Sequence, residues 1–511
     1  MNDSRFHIVI VGGGTAGWMT AALLVRRLPA ADYRVTLIES DEIGTVGVGE
    51  ATLPHIKLFN DMLGLDEAAF MRATRASFKL GIEFRDWDRP GDRYIHPFGA
   101  FGEPWGGVEF QHHWLRARAA GHPVAPLGAY SFAVSAAEAN VFDLPDSDAE
   151  SIRSTYSYAY HFDAGLYAAF LREWARARGV TRIEGQVLDI ARDTASGNLT
   201  SLTLKGGTTI AGDLFVDCTG FRSLLLAGQF EAPWEDWTRW LPCDRALAVP
   251  SAHSDDFHPY TRSTARTAGW QWRIPLQHRV GNGYIFSSQF IEVDDARDAL
   301  LANLDGAPLA EPRLLRFAPG RRERSWIGNC VAIGLASGFL EPLESTSIYL
   351  IQAAAIDLAN LMPRAETKGT PFDPALAAEF NRLTSMQYER VRDFLILHYI
   401  ANRREGEPLW DYLRHMPIPD SLAHKLALFR ARGALPNYQY GLFARDSWLS
   451  VLVGQGIMPG GHDRLADTYD LAIVTAKLDD FAGRIARGVK AMPSQGDFIA
   501  DYCAASEVVA A

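Results

Sequence analysis

The spacing of apolar residues changes period several times along the chain. Phe6 to Val11 is a mostly apolar run of strand length, and Gly12 to Gly17 follows as a glycine-rich turn. Trp18 to Leu28 then repeats its apolar positions at helical spacing, and Tyr33 to Glu39 is a second strand-like run. Strand, turn, helix and strand in that order predict a βαβ unit and a parallel sheet. Helical spacing recurs over Leu53 to Leu63 and Asp66 to Phe78, whereas Leu80 to Trp87 alternates as a strand does. Phe78, Leu80, Ile82 and Phe84 fall on one face of that alternation, which leaves Lys79 on the opposite, solvated side. Residues 89–151 are polar and aromatic without clear periodicity. A helix from Ala164 to Arg178 leads into a return strand from Thr181 to Leu188, and Ala211 to Cys218 reads as another buried strand. The tryptophan-rich stretch from Trp234 to Phe290 predicts mixed strands and loops in a second layer. Trp326 to Leu335 is a strand running into a glycine turn, and helices are expected at Ser345 to Met362, Pro374 to Ile400 and Leu471 to Ala491.

Composition narrows the classes of partner. A chain of 511 residues exceeds one ordinary core, and 48% hydrophobic with 22% charged residues is an ordinary globular balance. The formal charge of −11 disfavours nucleic acid, whose binding rests on Lys and Arg at phosphates. Cys218, Cys243, Cys330 and Cys503 lie far apart, without metal-ligand spacing, and read as reduced, mostly buried thiols. His112 and His113 are adjacent rather than helically spaced, and His55 and His96 lack an acidic or cysteine partner at ligand spacing, so no metal site is expected. No basic leader precedes the first strand, and no apolar run approaches the roughly twenty residues of a membrane helix, so a cytoplasmic protein is expected.

The opening turn carries the first chemistry. Gly12-Gly13-Gly14-Thr15-Ala16-Gly17 is GxGxxG after a strand and before a helix: Gly12 makes the turn, Gly14 admits a pyrophosphate, and Gly17 lets helix and strand approach. The helix start, with Thr15 and Ala16, offers amides and dipole to the phosphates. Glu39, at the end of the second strand, stands where an acid takes a ribose hydroxyl. Asp213 to Gly220 is similar to a mid-chain segment of FAD enzymes, and Gly328 to Gly338 resembles their late strand and turn. Leu335 stands there where a ribityl-binding Asp is common.

Four segments resemble the flavin-dependent halogenases of the tryptophan halogenase type: "GGGTAGW", "GVGEATLP" from Gly47 to Pro54, "WQWRIP" from Trp270 to Pro275, and "GFLEPLEST" from Gly338 to Thr346. The likeness spans about residues 5 to 365 and is looser beyond. It implies an α/β fold: an FAD-binding Rossmann-like GxGxxG domain from residues 1–90, 150–230 and 320–365, with mixed α/β substrate-side insertions at 91–149 and 231–319. Residues 366–511 form a mainly helical C-terminal part. Ala51, Val187 and Leu335 join the glycine loop and Glu39 as flavin-contacting residues by the same resemblance.

The resemblance also implies the reaction. FAD, used as FADH2, and dioxygen convert a halide, chloride or bromide, into hypohalous acid. A tunnel flanked by Trp270, Trp272 and Ser345 leads that acid to Lys79. Lys79 holds it or forms a haloamine; sequence leaves both open. Glu344 assists as the ring takes the halogen, and the amides of Thr346 and Ser347 bind the halide, although many relatives have glycine at the latter position. His96 and Phe98, with Trp448, resemble an indole clamp. Asn437 to Asp446 offers Tyr438, Tyr440 and Asp446 but does not match the lid of enzymes that take free tryptophan. That implies an open site preferring indole or a larger indole-like compound. No second GxGxxG serves a nicotinamide, so a separate flavin reductase is the expected partner. A flavin monooxygenase and a non-catalytic flavin-binding protein stand as alternatives.

Overall fold

The computed structural model describes residues 3–42, 49–253, 257–370, 372–435 and 441–505. The chain forms two compact units, each assembled from three segments: 1–75, 162–238 and 317–389 in the first, and 76–161, 239–316 and 390–511 in the second. Against the expected bounds, residues 76–90 and 150–161 belong to the second unit, and residues 231–238, 317–319 and 366–389 to the first.

In the first unit, Phe6–Val11 is an interior strand of a six-stranded sheet, with Leu214–Asp217 on one side and Tyr33–Glu39 on the other, all parallel. Cys330–Ala332 and Thr181–Glu184 extend it in parallel, and Trp326–Ile327 closes one edge as an antiparallel hairpin strand. All six residues of Phe6–Val11 are buried, which is why the run shows no alternation: a parallel strand is covered on both faces. One face meets the helix Thr15–Arg27, which packs against Ala164–Arg176 and Thr346–Asn360. On the other, Val9, Val11, Ile38 and Phe215 join Leu199, Leu202 and Leu204 of an antiparallel sheet made of Val187–Arg192, Leu199–Leu204 and Thr209–Ala211. The expected return strand therefore divides. Thr181–Glu184 stays in the main sheet, and Val187 begins a strand of the second layer, packed against that core.

The second unit is organised on a seven-stranded sheet in the order Arg313–Arg316, Arg245–Ser251, Val280–Phe286, Gly269–Pro275, Tyr260–Arg266, Gly81–Arg85 and Arg93–Pro97. Only the pairing of Tyr260–Arg266 with Gly81–Arg85 is parallel. Gly269–Pro275 and Val280–Phe286 are buried at every position. Trp272 faces Gly283 across that pair, where a Cβ would lie 2.0 Å from the indole Cη2, so only glycine leaves room for the ring. The helices expected at Pro374–Ile400 and near the C-terminus, Leu471–Lys490, are present.

Two further readings change, one at the end of the first unit's opening segment and one in the second unit. The helix expected to reach Phe78 is Glu67–Thr74 and stops at Arg75, whose φ of 56° is left-handed. Ser77–Lys79 is instead a strand paired with Ala159–Asp163, where Phe78 stacks on Phe142 at 3.9 Å. Residues 89–151, lacking periodicity, contain the helices Phe110–Ala119 and Phe132–Glu138. In the first of these, Phe110 to Leu115 are all buried, and a helix covered all round shows no apolar stripe.

Candidate active site

In the first unit the glycine loop has the geometry its residues predict. Gly12 has φ +109°, and a Cβ there would lie 2.2 Å from the Cys218 carbonyl oxygen, so glycine is required where the turn passes the neighbouring strand. At Gly17 a Cβ would sit 1.8 Å from the Gly12 oxygen, whereas at Gly14 it would meet nothing within 4 Å. Gly14 is also the N-cap of Thr15–Arg27 and supplies no side-chain cap, leaving the helix's first amides open toward that space. Open space over uncapped amides fits a pyrophosphate. Ala16 faces the late turn Gly334–Ala336, for a Cβ on Gly334 would lie 2.9 Å from the Ala16 Cβ. Leu335, in that turn, is half-buried, and Ala51, ending the strand Gly49–Ala51, is buried.

Glu39 is not the solvated acid that a bare glycine turn would leave there. Its carboxylate accepts the Trp18 indole N–H at 3.1 Å and pairs with Arg182, and it underlies Gly13, where a Cβ would clash with Oε2. Glu39 is thereby oriented from two sides. Residues 43–48, which include the first two of the "GVGEATLP" segment, lie outside the described residues. Glu50, just beyond them, is pushed up to about 7 by burial and by the nearby Asp163 charge.

The segment from Pro342 forms a short turn of 3-10 helix, and Ser345, with φ 58°, opens the helix Thr346–Asn360 without a side-chain cap. A left-handed serine is a strained backbone position, of the kind found where a site demands it. Glu344 is fully buried, and Ser345 nearly so. Thr346 is fully buried, and its Oγ1 meets no hydrogen-bond partner among the described residues. Ser347 is half-buried beside it. An uncapped helix start with an unsatisfied hydroxyl fits a small anion.

In the second unit Lys79 is fully buried, which overturns its reading as a solvated residue. The reason is tertiary: Lys79 pairs with Ala159 across the Ser77–Lys79 strand, and the next residue, Leu80, is held by its N–H to the Pro259 carbonyl at 2.7 Å. Leu80 also accepts the Phe98 N–H at 2.8 Å, and Gly81 pairs with Pro97. That register brings the Lys79 Nζ to 5.0 Å from the centroid of the Phe98 ring.

Behind the lysine strand lies His161. The Ser77 hydroxyl donates to the Pro275 carbonyl, at the end of "WQWRIP", at 2.5 Å. His161 Nδ1 lies 3.1 Å from the same Oγ and Nε2 2.9 Å from Thr261 Oγ1, so one ring nitrogen donates and the other accepts in a neutral imidazole. Burial first, then the charges of Lys79 and Arg273, hold its pKa well below the usual histidine range.

His96 and Trp448 are brought together through a residue that the sequence did not single out. Phe394 lies 5.6 Å from His96, 5.1 Å edge-on from Trp448, and 3.8 Å in a stack with Phe443. Trp448 and His96 are each about 2% exposed. Trp270 and Trp272 have ring centroids 6.1 Å apart, and Trp270 belongs to a core cluster with Trp87, which in turn meets Tyr399 and Trp410. Tyr438 and Tyr440 lie outside the described residues, and Asp446 accepts the Phe101 N–H at 3.3 Å. His161, Phe394 and Phe443 carry no local motif; at helical spacing Phe394 reads as core. His113 stacks on Trp105 at 3.7 Å, and His112 accepts the Asp463 N–H, so both serve packing. All four cysteines are buried and outside any disulfide, and no described helix is long and apolar enough to cross a membrane.

The class of protein is shown by its relatives, and it is a flavin-dependent halogenase. The chain belongs to the tryptophan halogenase family, whose match extends over residues 7–470. It is 35% identical to the tryptophan 7-halogenase RebH of Lentzea aerocolonigenes, over 90% of this chain and 91% of that one. Among solved structures, BrvH, a flavin-dependent halogenase from Brevundimonas sp. BAL3, superposes with a TM-score of 0.93 at 45% identity, covering 98% of this chain and all of that one (100%). Xcc4156, a flavin-dependent halogenase from Xanthomonas campestris, gives 0.94 at 44% identity, covering 98% and 99%. Membership sets aside the monooxygenase and the non-catalytic alternatives.

Proposed function

We propose that this enzyme halogenates indole or an indole derivative, with chloride or bromide as halogen source, and that Lys79 presents hypohalous acid to the ring. The supporting observation is the burial of Lys79 with its ammonium over Phe98, in the unit where His96 and Trp448 converge on Phe394. An amine in a water-poor, aromatic-walled place can hold hypohalous acid by hydrogen bonding or as a haloamine while keeping it from indiscriminate reaction.

The glycine loop, Glu39, Ala51, Val187 and Leu335 are proposed to hold FAD, which in reduced form supplies, with dioxygen, the oxidising power that turns halide into hypohalous acid. In balance, FADH2, O2, X⁻ and H⁺ give FAD, HOX and H2O, and the aromatic C–H with HOX then gives the C–X bond and water. Thr346 and Ser347 amides hold the halide, and Glu344 accepts the ring proton. Trp270, Trp272 and Ser345 are assigned to the route of the acid. A separate reductase provides FADH2.

The test is incubation with FAD, a flavin reductase, indole and bromide, followed by mass spectrometry. Brominated indole is expected from the wild type and none from Lys79→Ala, which retains FAD affinity. Oxygenated product from the wild type, or undiminished bromination by the variant, overturns the assignment.

A further inference from the structure

One buried histidine stands diagonally across from Lys79. In the pairing of Ser77–Lys79 with Ala159–Asp163, Ser77 lies opposite His161 and Lys79 opposite Ala159. Side chains alternate along a strand, so Ser77, Lys79, Ala159 and His161 share one face, and Phe78 and Tyr160 the other. His161 is therefore the diagonal neighbour of Lys79, within reach of a long side chain. All four residues of that face are fully buried, and Ala159, directly across from the lysine, has only a methyl group to offer it.

The hydrogen bonds fix the state of the ring. A carbonyl only accepts, so the Ser77 hydroxyl gives its one proton to the Pro275 oxygen, at 2.5 Å. The Ser77 oxygen is then left to accept, and His161 Nδ1, 3.1 Å away, is the donor. Burial, and then the charges of Lys79 and Arg273, disfavour an imidazolium, and Arg273 is itself paired with Asp305 at 2.7 Å. A neutral ring with its proton on Nδ1 has a bare Nε2, which accepts the Thr261 hydroxyl at 2.9 Å. The ring thus ties the lysine strand to two others, Gly269–Pro275 through Ser77 and Tyr260–Arg266 through Thr261.

We infer that His161 is a positioning residue for Lys79: its ring holds the lysine strand where the ammonium stands over Phe98. The inference rests on the role given to Lys79 under the proposed function. Reaction at a held oxidant is sensitive to placement, and a shift of about 1 Å costs on the order of 10²-fold. A lysine displaced from Phe98 no longer holds hypohalous acid, which then escapes to water instead of meeting the ring. Loss of the histidine therefore uncouples the reaction: the acid is still formed, and less of it becomes product.

The test measures bromoindole and escaped acid together, with FAD, a flavin reductase, bromide, indole and monochlorodimedone, a carbon acid whose C–H and HOBr give C–Br and water. Bromoindole is expected to fall at least tenfold in His161→Leu and at least threefold in Ser77→Ala. Trapped acid should rise, so that the sum of the two stays within twofold of wild type. His161→Asn, whose amide N–H replaces the Nδ1 donor, should form at least threefold more bromoindole than His161→Leu. Indole affinity of the apo-proteins, by titration calorimetry, should stay within threefold. Ser77→Ala removes a single oxygen and carries the test where His161→Leu does not fold. Product above a third of wild type in either variant overturns the inference, as does an asparagine variant no better than leucine. A parallel fall of product and trapped acid, or lost indole affinity, also overturns it, because a merely structural role gives that result. Lys79→Ala separates the two readings. If it releases no acid, the role of Lys79 is wrong and the positioning falls with it; if it leaks and the His161 and Ser77 variants do not, the inference alone falls.

Discussion

Replacing Gly14 with valine separates the cofactor cradle from the fold that carries it. Gly14 has φ −73° and ψ −173°, extended backbone open to any residue, and a Cβ there meets nothing within 4 Å. Folded apo-protein should therefore lose no more than about 0.5 kcal/mol, as for a surface substitution. The valine methyls occupy the space over the uncapped helix amides. Phosphate oxygens kept from two of those amides forfeit two charge-assisted hydrogen bonds of about 1.5–3 kcal/mol each, together roughly 3–6 kcal/mol or 10²–10⁴ in Kd. Gly17→Ala is the contrasting control. Its Cβ would stand 1.8 Å from the Gly12 oxygen, so helix and strand must part, destabilising the apo-protein by at least about 1–3 kcal/mol. FAD affinity is read by fluorescence titration and apo stability by thermal and urea unfolding. A Gly14→Val protein that keeps FAD within threefold of wild-type affinity refutes the cradle, and one that unfolds refutes the open space at Gly14.

Glu344→Gln keeps the buried shape and removes the base, so kcat for indole bromination should fall about 10²–10⁴-fold with FAD affinity within a few-fold; a kcat above a third of wild type would falsify the role. Gly283→Ala should cost at least about 1–3 kcal/mol in urea unfolding, because its Cβ meets the Trp272 ring at 2.0 Å and the Leu247 carbonyl at 2.5 Å, and Trp272→Leu should recover part of that loss. His161 is held neutral while its unfolded counterpart titrates near 6.5, so below that pH the unfolded chain takes a proton that the native ring refuses. Stability then falls with decreasing pH by up to about 1.4 kcal/mol per unit. Urea midpoints from pH 7 to pH 5 should show this loss in wild type and a shallower one in His161→Gln; parallel slopes would refute a neutral buried ring.

What the sequence determined by itself was local. The βαβ opening appears with the strand boundaries its pattern predicts, Phe6–Val11 and Tyr33–Glu39, because a glycine turn, an apolar run and a helical repeat are each written within a few residues. The tight turn was legible for the same reason: a Cβ at Gly12 or Gly17 would lie 2.2 Å or 1.8 Å from a backbone oxygen, an approach only glycine permits. The halogenase family was legible in short motifs.

Tertiary structure decided everything that depends on who covers whom. Lys79 sits on an alternating stretch that reads as half-solvated, yet pairing with Ala159 and the crossing of Phe98 bury it completely. Glu39 reads as an acid placed for a ribose hydroxyl, and its pairing with Arg182, far along the chain, has no trace in the sequence. The helix Phe110–Ala119 left no periodic trace because Phe110 to Leu115 are buried all round and only its last turn reaches solvent. Phe394 gathers His96, from the strand Arg93–Pro97, and Trp448, from the helix Arg445–Gly454, which lie far apart in the chain. Periodicity reports the contrast between a residue's own two faces. Burial and electrostatic company are set by neighbours distant in sequence, and those are settled only when the chain has closed around them.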